Sequence, residues 1–121
     1  MAYAFVPLGF VLNGLSIVAT LPASAGIHAW TAGAIGLMTL AVMTRASLGH
    51  TGHALHAGPA TQAIYALVFT GAVLRIVAAL SGNLLLLEGA GALWIGGFLL
   101  FAVAYGPILA RQRPAWAEAR C

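Results

Sequence analysis

Charged residues are scarce in this chain, and their scarcity excludes most soluble functions. The 121 residues include five arginines, two glutamates and no lysine, so that only 6% of the chain is charged. A soluble domain normally has roughly 25% charged residues. The chain also lacks the clustered basic face that phosphate-backbone binding requires, which excludes nucleic acid as a partner. The composition therefore predicts an integral membrane protein.

Groups that serve hydrolytic or nucleophilic catalysis are also missing. Glu88 and Glu118 are the only acidic residues. Paired carboxylates for hydrolysis and a Ser/His/Asp arrangement with a credible acid are therefore excluded. The sequence also contains no glycine-rich phosphate loop. The single cysteine, Cys121, ends a polar tail and provides neither a disulfide framework nor a metal cluster. We predict no catalytic residue among the protein side chains.

Long apolar runs make up most of the chain, which is 62% hydrophobic. A membrane-spanning helix needs about 20 predominantly apolar residues, and four runs approach this length. They cover residues 2–21, 26–44, 60–80 and 84–110, and a polar tail follows at 111–121. We predict an all-α integral membrane protein, with residues 1–121 forming a single domain that is a bundle of four transmembrane helices.

Arginine placement predicts the orientation of this bundle. Arg45 follows the second run, and three more arginines follow the fourth run, at Arg111, Arg113 and Arg120. Cytoplasmic segments next to spanning helices are enriched in Lys and Arg. With four spans, these positions fall on one side of the membrane. Both termini and the histidine-rich loop after Arg45 are therefore expected in the cytoplasm.

The small residues in the apolar runs are interpreted as packing positions, and the aromatic residues as positions at the membrane interface. The second run contains a cluster of small residues, at Ala32, Gly33, Ala34 and Gly36. These residues permit close packing against another helix or a flat cofactor. Three aromatic residues, Trp30, Trp94 and Tyr105, are explained by an interfacial belt.

Arg75 and Glu88 are the only charged residues inside the apolar runs, where a charge is costly unless it is paired or faces a cavity. Arg75 lies six residues before Ser81, and Glu88 lies five residues after Asn83. Both therefore lie roughly 8–9 Å from the same end of an antiparallel helix pair. One hypothesis is a structural ion pair between them. The alternative is that Arg75 anchors an anionic group such as a haem propionate, or that Glu88 takes part in proton movement.

All four histidines lie around one segment. His28 opens the second run, whereas His50, His53 and His56 follow its other end. His28 and His50 are 22 residues apart, which is about 33 Å along a helix, too far for both to ligate one metal within a single chain. Imidazole binds haem iron and copper well. His28 is therefore a candidate axial ligand, with a hydrogen-bonded anchor as the alternative.

One segment resembles a known family. The run HAWTAGAIGLMTLAVMTRASLGHTGHAL, from His28 to Leu55, is similar to the signature of the NnrS family of bacterial membrane proteins. The segments LRIVAAL at 74–80 and ALWIGGFLLFAVAYGPIL at 92–109 resemble the closing segments of that family. NnrS proteins are longer, and the matching residues are similar to their C-terminal third.

The resemblance implies a haem- and copper-containing protein of the bacterial inner membrane, associated with denitrification and with tolerance of nitric oxide and nitrosative stress. By position, His28, Arg45, His50 and Thr51 fall in the signature, and Arg75 fits a later arginine. The implied metal ligands are His28 and His50, and Arg75 is implied as a further cofactor-binding residue. Any chemistry would then occur at the haem or copper, and whether the protein is an enzyme stays open.

The implied partners are the lipid bilayer and either the missing N-terminal helices or a second copy of the chain. At His53 the family has a basic residue, so this histidine is expected to replace a surface charge.

One alternative function is a small dimeric four-helix transporter, although the exporters of this size depend on a glutamate in the first helix and the first run here has no charge. Another is a structural C-terminal fragment with no cofactor of its own.

Overall fold

The computed structural model describes residues 2–52 and 54–110, so that His53 and the predicted polar tail at 111–121 lie outside the described residues. Within the described ranges the chain is all-helical and contains no strand. A short 3-10 turn, Ala2–Ala4, leads into the first of four helices. The helices are α1 (Phe5–Val18), α2 (Ala23–His50), α3 (Pro59–Ser81) and α4 (Leu84–Ala110). The predicted all-α class and the four helices are confirmed.

Three of the helices in the described ranges, α2, α3 and α4, are long and apolar enough to span a membrane. The helical segment that contains α1, Ala2–Val18, is apolar but shorter. The second helix also differs from its predicted span, because it continues past residue 44 to His50. Nothing between Arg45 and Leu48 breaks a helix, and the chain turns only at Gly52, which has a positive φ of 70°. The loop that contains the histidines is correspondingly shorter than predicted.

A π-helical segment, Ala29–Ile35, interrupts the α-helical geometry of α2 directly after His28. In a π turn each backbone bond joins residue i to residue i+5, and such turns are rare and frequently lie at functional sites. The sequence pattern gave no indication of this segment. It separates the end of α2 that carries His28 from the end that carries Arg45 and His50.

The turn between α3 and α4 forms at the residues that predict it, Ser81-Gly82-Asn83. Gly82 ends α3 in the left-handed conformation, with a φ of 67°, which glycine adopts without a steric penalty. Asn83 then begins α4, because its Oδ1 accepts a hydrogen bond from the backbone N–H of Leu85 at 2.9 Å. This cap satisfies one of the free donors of the first helical turn. The result is an antiparallel α3–α4 hairpin.

The α3–α4 hairpin is closely packed because two residues at its interface, Gly71 and Gly97, have no side chain. A Cβ atom at Gly71 would lie 3.0 Å from the carbonyl oxygen of Ala90 and 3.1 Å from the backbone nitrogen of Trp94. At Gly97, a Cβ atom would overlap a methyl group of Val68. Small residues at helix crossings allow this kind of backbone approach in membrane proteins.

Helix α1 packs against α2 through a tryptophan and two glycines. The Trp30 Nε1–H donates a hydrogen bond to the backbone carbonyl of Val6 at 3.0 Å. Its indole ring lies directly against Gly9, and the ring of Phe5 lies against Gly33. Trp30 therefore joins two helices, a role that the interfacial-belt interpretation did not include.

Candidate functional site

The structure brings two of the predicted cofactor-binding residues together. His28, from the start of α2, and Arg75, from the last part of α3, line the same pocket of about 350 Å³. The turn between α3 and α4 closes one side of the pocket with Gly82 and Asn83. Both His28 and Arg75 are half-buried. Packing between helices that are distant in sequence therefore places an imidazole beside a guanidinium.

The positive charge of Arg75 is not neutralised by an acidic group in the described structure. Its guanidinium forms no ion pair with residues 2–52 or 54–110, and it lines the same pocket as the His28 ring. A guanidinium in an apolar span is costly unless it is paired or faces a polar cavity. The pocket therefore has donor groups suited to an anionic ligand.

These two residues fit a haem group by their chemistry. The imidazole is a common axial ligand of haem iron, and a guanidinium pairs with carboxylates through two parallel hydrogen bonds, as a propionate requires. The pocket is near the small end of the roughly 300–1,000 Å³ range of ligand sites. It is therefore suited to hold one edge of such a group.

Glu88 does not join this site. Its side chain is exposed on α4 and does not line the pocket of His28 and Arg75. Like Arg75, it forms no ion pair with another described residue. The predicted structural ion pair between Arg75 and Glu88 stays a prediction, and the ionisable residue that lines the pocket together with Arg75 is His28.

His50 lies at the opposite end of α2. It is exposed and lines a different pocket, together with Arg45 and Leu55. In the described residues no group of three or more His, Cys, Asp and Glu side chains is placed to hold a metal ion. His28 and His50 therefore belong to two separate places in the fold, as the sequence distance between them predicts.

A cluster of hydroxyl groups was missed by the sequence analysis. Thr44 on α2 is within 3.0 Å of the Tyr65 hydroxyl on α3, and Thr61 on α3 is within 2.7 Å of the Tyr105 hydroxyl on α4. Tyr105 is only 3% exposed, so its hydroxyl lies inside the bundle, unlike that of an interfacial-belt residue. The signal available in the sequence was the four-residue spacing of Thr61 and Tyr65, which places both on one helix face.

Trp94 is a third residue that the interfacial-belt interpretation does not describe. Its Nε1 is buried and is the one buried side-chain nitrogen or oxygen in the described ranges without a hydrogen-bond partner. The nitrogen lies 3.3 Å from the position of a Cβ atom at Gly36, where the π-helical segment ends. An unpaired buried donor of this kind costs about 1–3 kcal/mol.

Comparison with known proteins identifies one family. A family model described as NnrS protein matches residues 1–113, which include all the predicted site residues. No curated protein and no solved structure matches the chain.

Proposed function

The chain belongs to the NnrS family, and from this premise we propose that it is a haem-associated membrane protein of the response to nitric oxide and nitrosative stress, linked to denitrification. The observation that carries the proposal is the pocket in which His28 and Arg75 lie together. Three helices long and apolar enough to span a membrane support its placement in a bilayer. The link to nitric oxide and denitrification rests on the family.

Each residue of the pocket has a separate role in the proposal. His28 would hold the iron of a haem through a ring nitrogen, and Arg75 would hold a propionate group by charge and hydrogen bonding. The turn at Gly82 and Asn83 lines the pocket beside the two side chains. A bound haem would supply the redox and gas-binding chemistry that the protein side chains lack. His50 and copper stay a second, separate candidate pairing at the other end of α2.

A visible spectrum tests the proposal. Protein purified in mild detergent is expected to show Soret and α-band absorbance in a reduced-minus-oxidised spectrum. His28→Ala should abolish the bands, because the imidazole that would hold the haem iron is lost. Arg75→Gln should weaken haem binding about tenfold, which is the smaller effect typical of a residue outside the ligand set. His50→Ala is the matched control, since it removes the same side chain at the other end of the same helix.

Two results would contradict the assignment. Bands that survive His28→Ala and disappear in His50→Ala would place the ligand at the other end of α2. A flat spectrum in protein whose helicity is intact by circular dichroism would contradict haem binding by this chain. Metal analysis of the same samples would then measure copper, and its loss in His50→Ala alone would assign that metal to His50.

A further inference from the structure

A second pocket lies at the end of the bundle opposite His28, between α2, α3, α4 and the segment 54–58. Its volume is about 380 Å³, within the roughly 300–1,000 Å³ typical of ligand sites. Its polar lining residues are Thr44, Arg45, His56, Thr61, Tyr65 and Tyr105. None of these six residues is acidic, so the charge available to a ligand in this pocket is positive.

The direction of the hydrogen bond between Thr44 and Tyr65 follows from counting protons. Thr44 is placed to donate its single hydroxyl proton to the carbonyl of Leu40, at 2.9 Å. Its oxygen is then the acceptor for the Tyr65 hydroxyl, at 3.0 Å. Tyr65 consequently has no further proton to donate, and this pair is satisfied within the protein.

The pair formed by Thr61 and Tyr105 is different, because one of its protons has no acceptor. The two hydroxyls carry two protons, and a single hydrogen bond of 2.7 Å joins them. Whichever residue donates, the other keeps an O–H group that has no acceptor among residues 2–52 and 54–110. Both side chains are more than nine-tenths buried, at 8% exposure for Thr61 and 3% for Tyr105. A buried donor of this kind normally has a partner.

Arg45 adds the charge that determines the class of ligand. It is exposed and forms no ion pair with the described residues. Arg45 lines the same pocket as Thr61 and Tyr105, the pair with the unpaired hydroxyl proton. Guanidinium groups pair with phosphate through parallel hydrogen bonds, and basic pockets between spanning helices bind the head groups of anionic lipids. Walls formed by Ala41, Leu48 and Leu55 provide the apolar surface beside it.

We propose that this pocket binds a phosphate group, through the guanidinium of Arg45 and the unpaired hydroxyl proton of the Thr61–Tyr105 pair. The group belongs either to the head of an anionic lipid or to a free small molecule. The site is separate from the His28 pocket and does not depend on haem.

Ligand-induced stabilisation tests the site with two probes. In detergent, the unfolding midpoint is measured with sodium phosphate against sodium chloride at equal ionic strength. In nanodiscs, it is measured with phosphatidylglycerol against phosphatidylcholine. Binding stabilises the folded state by mass action, so at least one probe is expected to raise the midpoint by several degrees. A rise with phosphatidylglycerol alone identifies a lipid head group, and a rise with inorganic phosphate identifies a free anion.

Two variants and a control locate the effect. Arg45→Gln is expected to weaken the apparent affinity about tenfold or more, because it removes a charge-assisted pair. The double variant Thr61→Val/Tyr105→Phe should also reduce the shift, because it leaves no hydroxyl proton at this place. Tyr3→Phe, which removes the hydroxyl of a tyrosine that is 78% exposed, should leave the shift unchanged. Each variant is compared with its own ligand-free midpoint, so a change in stability alone does not affect the result.

The proposal is overturned if neither probe shifts the wild-type midpoint. It is also overturned if Arg45→Gln retains the full shift, or if Tyr3→Phe removes as much of the shift as Thr61→Val/Tyr105→Phe. Haem absorbance, measured in the same samples, is expected to be unchanged by Arg45→Gln, so failure here is distinguishable from failure of the His28 assignment.

Discussion

Gly97→Ala is expected to lower the free energy of unfolding by about 1–3 kcal/mol, the usual effect of inserting an extra group into a closely packed core. The new methyl group would overlap the Cγ2 methyl of Val68 on α3. Val68 is fully buried, and its β-branched side chain has little freedom to change rotamer. The α3–α4 hairpin must therefore separate to accept the substitution.

The neighbouring residue provides the control for this prediction. A Cβ atom at Gly96 would meet no other atom within 4 Å. Gly96→Ala is therefore expected to be neutral or to stabilise α4 by up to about 1 kcal/mol through helix propensity. Both variants are compared by unfolding in mixed detergent micelles, followed by circular dichroism. Equal losses in the two variants would contradict the close contact between Gly97 and Val68.

A compensating change tests the same contact from the other side. Val68→Ala removes the methyl groups that the new side chain would overlap. The double variant Gly97→Ala/Val68→Ala is expected to be more stable than the sum of the two single effects predicts, because residues in direct contact couple energetically. Strict additivity would show that Gly97→Ala acts elsewhere.

Gly9→Ala is expected to release α1 from α2, with a loss of about 1–3 kcal/mol. The added methyl group would occupy the space of the Trp30 indole. Moving this ring would also break its 3.0 Å hydrogen bond to the carbonyl of Val6, a bond worth about 1 kcal/mol. The two losses act on the same helix pair, so α1 should detach before the other helices unfold.

Gly14 on the same helix is the matched control, because a Cβ atom there would have nothing within 4 Å. Gly14→Ala should unfold like the wild type. Limited proteolysis in detergent measures the release of α1, which should make the segment 19–22 accessible to cleavage in Gly9→Ala alone. Identical proteolysis of the two variants would mean that Trp30 does not hold α1 in place.

The helical architecture was predictable because a bilayer restricts the chain so strongly. Spanning segments must be long, apolar and helical, so the runs at 60–80 and 84–110 predict α3 and α4 with bounds that differ by at most one residue. The turn at Gly82 was also predictable, since glycine is the residue that ends helices in the left-handed conformation. The end of α2 was not predictable in this way, because Arg45 ends an apolar run without ending a helix.

The candidate sites were only partly predictable from the sequence. His28 and Arg75 were identified singly, since ionisable residues in apolar runs are rare and need a partner or cavity. Their common pocket depends on how α2 packs against α3, which no local pattern specifies. Tyr105 was assigned to an interfacial belt because a tyrosine in an apolar run usually has that role, and its pairing with the hydroxyl of Thr61 depends on how α3 and α4 pack.

The π-helical segment Ala29–Ile35 determines how far the two ends of α2 are rotated relative to each other about the helix axis. A turn with bonds from residue i to residue i+5 contains one residue more than an ordinary turn. One residue corresponds to about 100° of rotation about a helix axis. Without this extra residue, Arg45 would point about 100° away from its present direction relative to His28. The π-helical segment therefore rotates one end of α2 relative to the other, so that both His28 and Arg45 line pockets beside α3.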